Sequence, residues 1–281
     1  MLDMPNPNKI RLIALDLDGT LLNSAKELTP RTRDALYAAA AQGIEIVPST
    51  GRFYGGMPES VRALPFVRYA ITINGSQVFD VRTGGALYRA ELPLEECLQI
   101  LSYLDSLPVI YDCYMDNWGW MTAAMQAKAD EFAPDEHYRR MLRELRSPVP
   151  ELKAYLREQG KSVQKLQLFT RDLPLRERLL KELDAMFPAL AVSTSVGNNL
   201  EINHRDANKG AALLHLAGVL GLERSALMAF GDGMNDLLML SAAGTGVAME
   251  NAGEEVKAAA DRVTASCDHE GVAQVIEELL S

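Results

Sequence analysis

The sequence predicts an α/β protein whose parallel-sheet core is split by an inserted α+β domain. Three observations predict it. Apolar strands alternate with helices from Ile10 to Gly75, the alternation breaks between about Leu92 and Val196, and it resumes from Asn208 to the C-terminus. Strands that alternate with crossover helices belong to a parallel sheet. The outer segments therefore read as one core domain, residues 1–83 and 198–281, and residues 84–197 as the insert.

The elements follow in order. Ile10–Leu15 is a largely apolar run, the mark of a strand buried on both faces. Thr29-Pro30 supplies an N-cap and a proline in the first turn, and the helix they open stops at Gly43. Ile44–Pro48 is the next strand, Pro58–Leu64 a helix, and Tyr69–Ile73 a third parallel strand ending at Asn74-Gly75. Gln77–Val81 and Ala86–Leu92 flank Arg82-Thr83-Gly84-Gly85, a hairpin signal. In the insert, helices are expected at Leu94–Ser106, Lys128–Leu145 and Leu173–Phe187, and strands at Val109–Met115, Lys165–Thr170 and Ala191–Thr194. Pro148 and Pro150 interrupt its middle. Tyr111, Tyr114, Trp118 and Trp120 read as packing around a hairpin turn at Asp116-Asn117. After Asn208 come a helix over Lys209–Leu220 stopped by Gly221, a strand Ala226–Phe230, a helix Asp236–Ala243 and a strand Gly246–Met249. A helix Glu254–Ala260, a short strand Arg262–Thr264 and a helix Gly271–Leu280 close the chain.

Composition narrows the function. The 281 residues can bury one large core or two smaller ones, and with 48% hydrophobic and 23% charged residues the chain is globular; disorder is expected only at Met1–Asn8. A net charge of -10 excludes general nucleic-acid binding, which needs a basic footprint. An anionic substrate would need a local cation to offset that field. Cys97, Cys113 and Cys267 form no CxxC pair, and His137, His204, His215 and His269 form no closely spaced ligand pair. A reducing, cytoplasmic setting is expected. Neither a signal peptide nor a membrane-spanning apolar run is expected.

The chemistry sits where strands end. Asp16-Leu17-Asp18-Gly19-Thr20 follows the first strand, Ser49-Thr50-Gly51-Arg52 the second, and Gly231-Asp232-Gly233-Met234-Asn235-Asp236 the strand Ala226–Phe230. Asn208-Lys209-Gly210 opens a helix. Open α/β sheets bind ligands at the carboxyl ends of their strands. Side chains two apart on an extended segment point the same way, so Asp16 and Asp18 converge. Carboxylates held that close need a cation or a shared proton.

Phosphoryl transfer asks for such a set: an in-line nucleophile, a metal, and cations or dipoles on the phosphoryl oxygens. An aspartate can be the nucleophile. Asp16, Asp232 and a backbone carbonyl near Asp18 can hold Mg²⁺, which prefers hard oxygens, with Asp236 supporting them. Asp18 can act as general acid and then as base. Thr50 and the amides after it can hold phosphoryl oxygens, and Lys209 can neutralise charge. Singly, each motif also reads as a plain turn, a surface lysine or a common loop. Their order and placement argue for the joint reading.

In these motifs the chain resembles the haloacid dehalogenase superfamily of phosphohydrolases, and within it the Cof-type group with a large α+β cap of the C2 type. The resemblance runs through Gly246-Val-Ala-Met-Glu-Asn251-Ala and Glu270-Gly271-Val, and so spans nearly the whole chain. It implies a Rossmann-like parallel-sheet core domain with an inserted α+β cap domain, and Mg²⁺-dependent hydrolysis of small phosphorylated metabolites, sugar phosphates first, through an aspartyl phosphate. It implies Asp16 as nucleophile and Asp18 as acid/base. Thr50, Gly51, Lys209 and Asn235 are the implied phosphate-side residues. Asp16, Asp232, Asp236 and the Asp18 carbonyl are the implied metal residues. The partner is a small-molecule phosphoester, not nucleic acid or membrane, with oligomeric state open. The cap is expected to close and select the substrate, with hinges near Thr83–Ala86 and Ser195–Asn199.

Two other readings stand beside hydrolysis. A phosphomutase or phosphotransferase would use the same core with a basic cluster in the cap, for which Arg139, Arg140, Arg143 and Arg146 are candidates; their spacing also suits a solvated helix face. A non-catalytic binding protein could share the fold, but the intact acidic and cationic set argues against it.

Overall fold

The computed structural model describes residues 10–281, so the tail Met1–Asn8 lies outside the described residues. The chain forms two compact units. One runs up to Arg89 and takes up again at Ala207–Ser281; the other is Ala90–Asp206. The first core segment supplies β1 (Leu12–Leu15), β2 (Glu45–Pro48), β3 (Tyr69–Thr72), β4 (Gln77–Asp80) and β5 (Ala86–Arg89). The insert supplies β6 (Val109–Met115), β7 (Trp118–Thr122), β8 (Arg146–Val149), β9 (Lys165–Thr170), β10 (Leu190–Ser193) and β11 (Asn199–His204). The last segment supplies β12 (Leu227–Gly231), β13 (Thr245–Met249) and β14 (Arg262–Thr264).

The core sheet is parallel throughout, in the order β14-β13-β12-β1-β2. The interior strand β1 shows why. All four residues of β1 are buried, and alternate ones serve opposite clusters. Ile13 and Leu15 meet Leu36 and Ala39 of the helix Pro30–Ala41 and Val272 and Ile276 of the helix Gly271–Leu280. Leu12 and Ala14 meet Leu213 and Leu216 of the helix Lys209–Leu220 and Leu240 of Leu237–Ala242. The helix ends obey local rules. Thr29 caps the first helix through Thr32 N–H, and Asn208 caps Lys209–Leu220 through Ala211 N–H at 2.8 Å. Gly221, at φ 66°, ends the latter.

Three expected elements differ. Tyr69–Ile73 is not a third parallel strand of the main sheet. The chain turns through Ile73, Asn74 and Gly75, all at positive φ, and β3 pairs antiparallel with β4 in a sheet β3-β4-β5. A single bridge, Ser49 to Ile71, ties it to the parallel side. The helix expected over Lys128–Leu145 is two pieces, Ala129–Phe132 and Glu136–Glu144. Pro134 disfavours helix before it, and Asp135 caps the second piece through Tyr138 N–H at 2.9 Å. Pro148 lies within a strand rather than breaking the chain, because β8 is the edge of its sheet, where a missing donor is tolerated. β8, β11 and the helix Leu152–Gln159 were not anticipated.

The insert carries one six-stranded sheet, β10-β11-β9-β6-β7-β8, antiparallel except between β7 and β8. The turn Asp116-Asn117, with φ of 54° and 59°, joins β6 to β7 as the sequence predicts. One face packs Tyr111, Cys113, Leu166, Leu168, Leu200 and Ile202 on helices that include Leu94–Leu104 and Leu173–Met186. The other face bears a buried polar rung, Asp112–Gln167–Glu201, across β6, β9 and β11. Buried charges need partners, and Arg146 lies 3.1 Å from Asp112 while Lys165 lies 3.3 Å from Glu201. Core and cap are thus a Rossmann-like α/β domain and a separate α+β domain. The chain crosses between the two compact units at Arg89–Ala90 and Asp206–Ala207, beyond the expected boundaries at 83/84 and 197/198. The reason is pairing: β5 completes the core hairpin and β11 the cap sheet. Thr83–Ala86 and Ser195–Asn199 accordingly lie inside the units, at the β4–β5 and β10–β11 turns. All three cysteines are free. Among the described residues, no helix is long and apolar enough to cross a membrane.

Gly75 offers a test of this packing. It sits at φ 91°, and a Cβ there would lie 2.2 Å from the Asn208 carbonyl oxygen. Gly75→Ala should destabilise the fold by about 2–3 kcal/mol through backbone strain and the displaced helix start. Urea unfolding measures it, and a loss below about 0.5 kcal/mol would contradict the close approach.

Candidate active site

The turns after β1 and β12 and the start of the helix Lys209–Leu220 bring their side chains together. Lys209, fully buried, donates to Asp16 Oδ1 at 2.5 Å and to Asp236 Oδ1 at 2.6 Å. The second Asp236 oxygen accepts the backbone N–H groups of Asp232 and Gly233 at 3.1 and 2.9 Å. Asp236 therefore shapes the loop that carries Asp232. Asp232 accepts the Thr20 hydroxyl at 2.8 Å and the Asn251 amide at 3.3 Å, and that amide also reaches the Gly19 carbonyl at 2.8 Å. Gly19 is required here: its φ is 91°, and a Cβ would stand 2.4 Å from Asp232 Oδ2.

One carboxylate oxygen from each of Asp16, Asp232 and Asp236 lies within 4.8 Å of the others. All are hard oxygen donors, the set that Mg²⁺ or a similar divalent ion takes. Electrostatics mark the cluster as short of positive charge. Burial, opposed by Lys209 but reinforced by Asp236 and Asp232, pushes Asp16 up to about 8. Burial and the Asp236 charge raise Asp232 as well. Burial works against the Lys209 ammonium, yet Asp16 and Asp236 hold its pKa above the ordinary lysine range.

Asp18 lies in a different environment. Its side chain stands outside the carboxylate cluster. Arg52 forks onto it, Nε to Oδ2 and Nη2 to Oδ1, both at 2.8 Å, and Lys26 Nζ lies 3.0 Å from Oδ1. Burial would raise its pKa, but these cations override it and hold Asp18 down at about 2.

Thr50 is buried beside this pair. Its hydroxyl accepts the Arg52 N–H at 3.2 Å, and its carbonyl accepts the Asn74 N–H at 3.0 Å. Gly51 passes close to Asn74, whose Oδ1 would be 2.8 Å from a Cβ, and the exposed Asn235 donates to that same oxygen at 3.2 Å. Asn74 and Thr20 were missed as site residues by sequence reasoning. Asn74 had one signal: an asparagine before glycine, where left-handed backbone is common. The cap arginines are accounted for. Arg139 pairs with Glu136 and Asp130, Arg140 with Glu144, Arg143 with Asp130 and Arg146 with Asp112.

Known proteins resemble this chain over nearly its whole length. A family model described as haloacid dehalogenase-like hydrolase matches residues 13–276. Phosphatase YwpJ of Bacillus subtilis is 33% identical, covering 96% of this chain and all of its own. Pyridoxal phosphate phosphatase YbhA of Escherichia coli is 30% identical over 95% of this chain and 97% of its own. The crystal structure of a haloacid dehalogenase-like hydrolase from Bacteroides thetaiotaomicron superposes with a TM-score of 0.83 at 28% identity, over 96% of this chain and all of that one. The chain belongs to the haloacid dehalogenase-like hydrolases, in their Cof-type group. It is a phosphoric monoester hydrolase.

Lys209→Met should lower stability at about pH 9.5 by about 3–5 kcal/mol, because it leaves buried carboxylates without their cation. The deficit should shrink as pH falls to about 6.5, since below its pKa of about 8 Asp16 is protonated with or without the lysine. Urea unfolding at both pH values reads this; a deficit independent of pH would show that the ammonium does not compensate Asp16.

Proposed function

We propose that this enzyme hydrolyses small phosphorylated metabolites with Mg²⁺, through an aspartyl phosphate on Asp16. Sugar phosphates are the first substrate class and pyridoxal phosphate, the substrate in the name of the E. coli relative, the second. The observation that carries the reading is the contrast between two aspartates two residues apart. Asp16 is buried in a cluster of carboxylates around one lysine, and Asp18 is turned away into a pair of cations.

Each residue has a role in this reading. Asp16 attacks phosphorus. Asp18 passes a proton to the leaving oxygen, then takes one from the water that cleaves the acyl phosphate. Thr50 and the amide N–H groups after it hold phosphoryl oxygens, with Asn235 at the rim. Lys209 offsets charge on the Asp16 side, and Asp236 aims it. Asp16, Asp232 and the Asp18 carbonyl would hold Mg²⁺, whose chemistry is to offset the negative charge of phosphate and nucleophile. The pairing of Arg139, Arg140 and Arg143 with carboxylates favours hydrolysis over a mutase, which would need free cations for a second phosphate.

Phosphate release from a panel of phosphate esters, with and without Mg²⁺, tests the reading. Asp16→Asn should abolish release, because an amide is a poor nucleophile and metal ligand. Retained turnover would sink the nucleophile assignment. Asp18→Asn should fold normally and slow turnover by about 10²–10⁴-fold; turnover at the parental rate would remove its acid/base role.

The metal has a separate signature in pH. The folded pKa of Asp16 is raised from 3.8 to about 8. Its contribution to stability is therefore full below its unfolded pKa and is lost as pH climbs through the folded one. A bound cation offsets that loss. The rise in Tm on adding Mg²⁺ should be larger at about pH 8.5 than at about pH 5.5. An equal rise at both would place the ion elsewhere.

A further inference from the structure

Asp232 differs from the other acidic side chains of the site in its partners. Asp16 and Asp236 share the Lys209 ammonium, and Asp18 meets Arg52 and Lys26. Asp232 accepts one hydrogen bond on each carboxylate oxygen, from the Thr20 hydroxyl on Oδ1 at 2.8 Å and from the Asn251 amide on Oδ2 at 3.3 Å. Both donors are uncharged.

Asn251 is exposed, yet both polar atoms of its amide are engaged. Oδ1 accepts the Cys267 N–H at 3.0 Å, and Nδ2 donates to the Gly19 carbonyl at 2.8 Å as well as to Asp232. These partners fix which way round the amide lies. Turned over, its oxygen would face a carbonyl and a carboxylate, and its nitrogen an N–H. The contacts also follow the sheet order. Gly19, Asp232, Asn251 and Cys267 stand in the loops after β1, β12, β13 and β14, four adjacent parallel strands. One side chain thus ties together the carboxyl ends of four strands, where an open α/β sheet binds its ligand. The far anchor is itself held. Gly271 N–H donates to the Ser266 carbonyl at 3.2 Å, and Ser24 N–H to Asp268 at 2.8 Å.

We propose that Asn251 is a positioning residue for the metal: it aims the Asp232 carboxylate with a neutral donor and leaves the carboxylate's charge for a divalent cation. The inference rests on the reading of Asp232 as a metal ligand. Two demands meet at this position. A carboxylate that is to bind an ion gains affinity from being oriented beforehand, because ordering it on binding has a cost. A lysine or arginine at position 251 would orient it too, but would offset its charge and compete with the ion. An amide meets the first demand without the second effect. Each Asp232 oxygen keeps a further lone pair for the ion. Through the Gly19 carbonyl the same amide also steadies the turn next to the Asp18 carbonyl, the other backbone-side donor of that reading.

Mg²⁺ binding to the substrate-free enzyme, read by isothermal titration calorimetry, tests this. Asn251→Ala should weaken Mg²⁺ binding by about 10-fold and Asn251→Lys by about 100-fold. For Asn251→Ala with p-nitrophenyl phosphate, the Mg²⁺ concentration giving half-maximal rate should rise in parallel, while kcat at saturating Mg²⁺ stays within about 3-fold of the wild type. A purely structural role has another signature: a lower Tm in EDTA with Mg²⁺ affinity unchanged. That signature, or Asn251→Lys binding Mg²⁺ as tightly as the wild type, would overturn the proposal. Asp232→Asn separates the two claims. If it binds Mg²⁺ like the wild type, Asp232 is not a ligand and the role of Asn251 falls with it. If it loses Mg²⁺ while Asn251→Ala keeps wild-type affinity, the role of Asn251 alone falls.

Discussion

One buried ammonium organises the site. Lys209 touches carboxylates that lie 193 and 27 residues away in the chain, and it has no exposure to solvent. Holding two buried and one half-buried acidic side chains within a few ångströms is unfavourable unless their charge is offset. The lysine does this in part, and it can only do so when β1, β12 and the helix Lys209–Leu220 are all in place. The site is thus inseparable from the core sheet. Asn208 caps that helix and Gly75 packs on its carbonyl, so the second core unit, the β3–β5 hairpin sheet, is anchored at the same point.

The division between Asp16 and Asp18 follows from where strand alternation ends. Both leave the carboxyl end of β1, but Gly19 at positive φ turns the chain immediately after, and the two side chains meet different neighbours. Asp16 faces other carboxylates in a dry environment and is pushed up to about 8. Asp18, a third of whose side chain is exposed, faces a guanidinium and an ammonium and is held at about 2. Environments that drive two like groups apart are the usual means of giving them different tasks.

Much of this was legible in the sequence because it rests on local rules. Caps at Thr29 and Asn208, the stop at Gly221, the turn at Asp116-Asn117 and the acidic segments after β1 and β12 each follow from residues adjacent in the chain. What could not be read depends on long-range approach. Thr20 and Asn251 matter because they meet Asp232, and Asn74 because it meets Gly51 and Asn235. Lys26 carried no signal in the sequence and Arg52 stood only in a segment that also reads as a turn, until the fold placed both on Asp18. Pro148 and β3 show the reverse error. Local rules made one a break and the other a sheet strand, whereas edge position and the turn at Asn74-Gly75 decided otherwise.

The sheet order has a consequence for synthesis. β1 lies between β2 and β12, and β12 leaves the ribosome only after all of Ala90–Asp206. The nascent core must therefore wait with β1 paired on one edge and its apolar faces half-covered. Meanwhile the intervening unit, with its own sheet and apolar cluster, has all its strands to hand. Non-local parallel pairing is slow and leaves aggregation-prone edges in the interim. Emergence order thus favours completion of the cap first and makes the long-delayed closure of β1 on β12 the vulnerable moment in this protein's biogenesis.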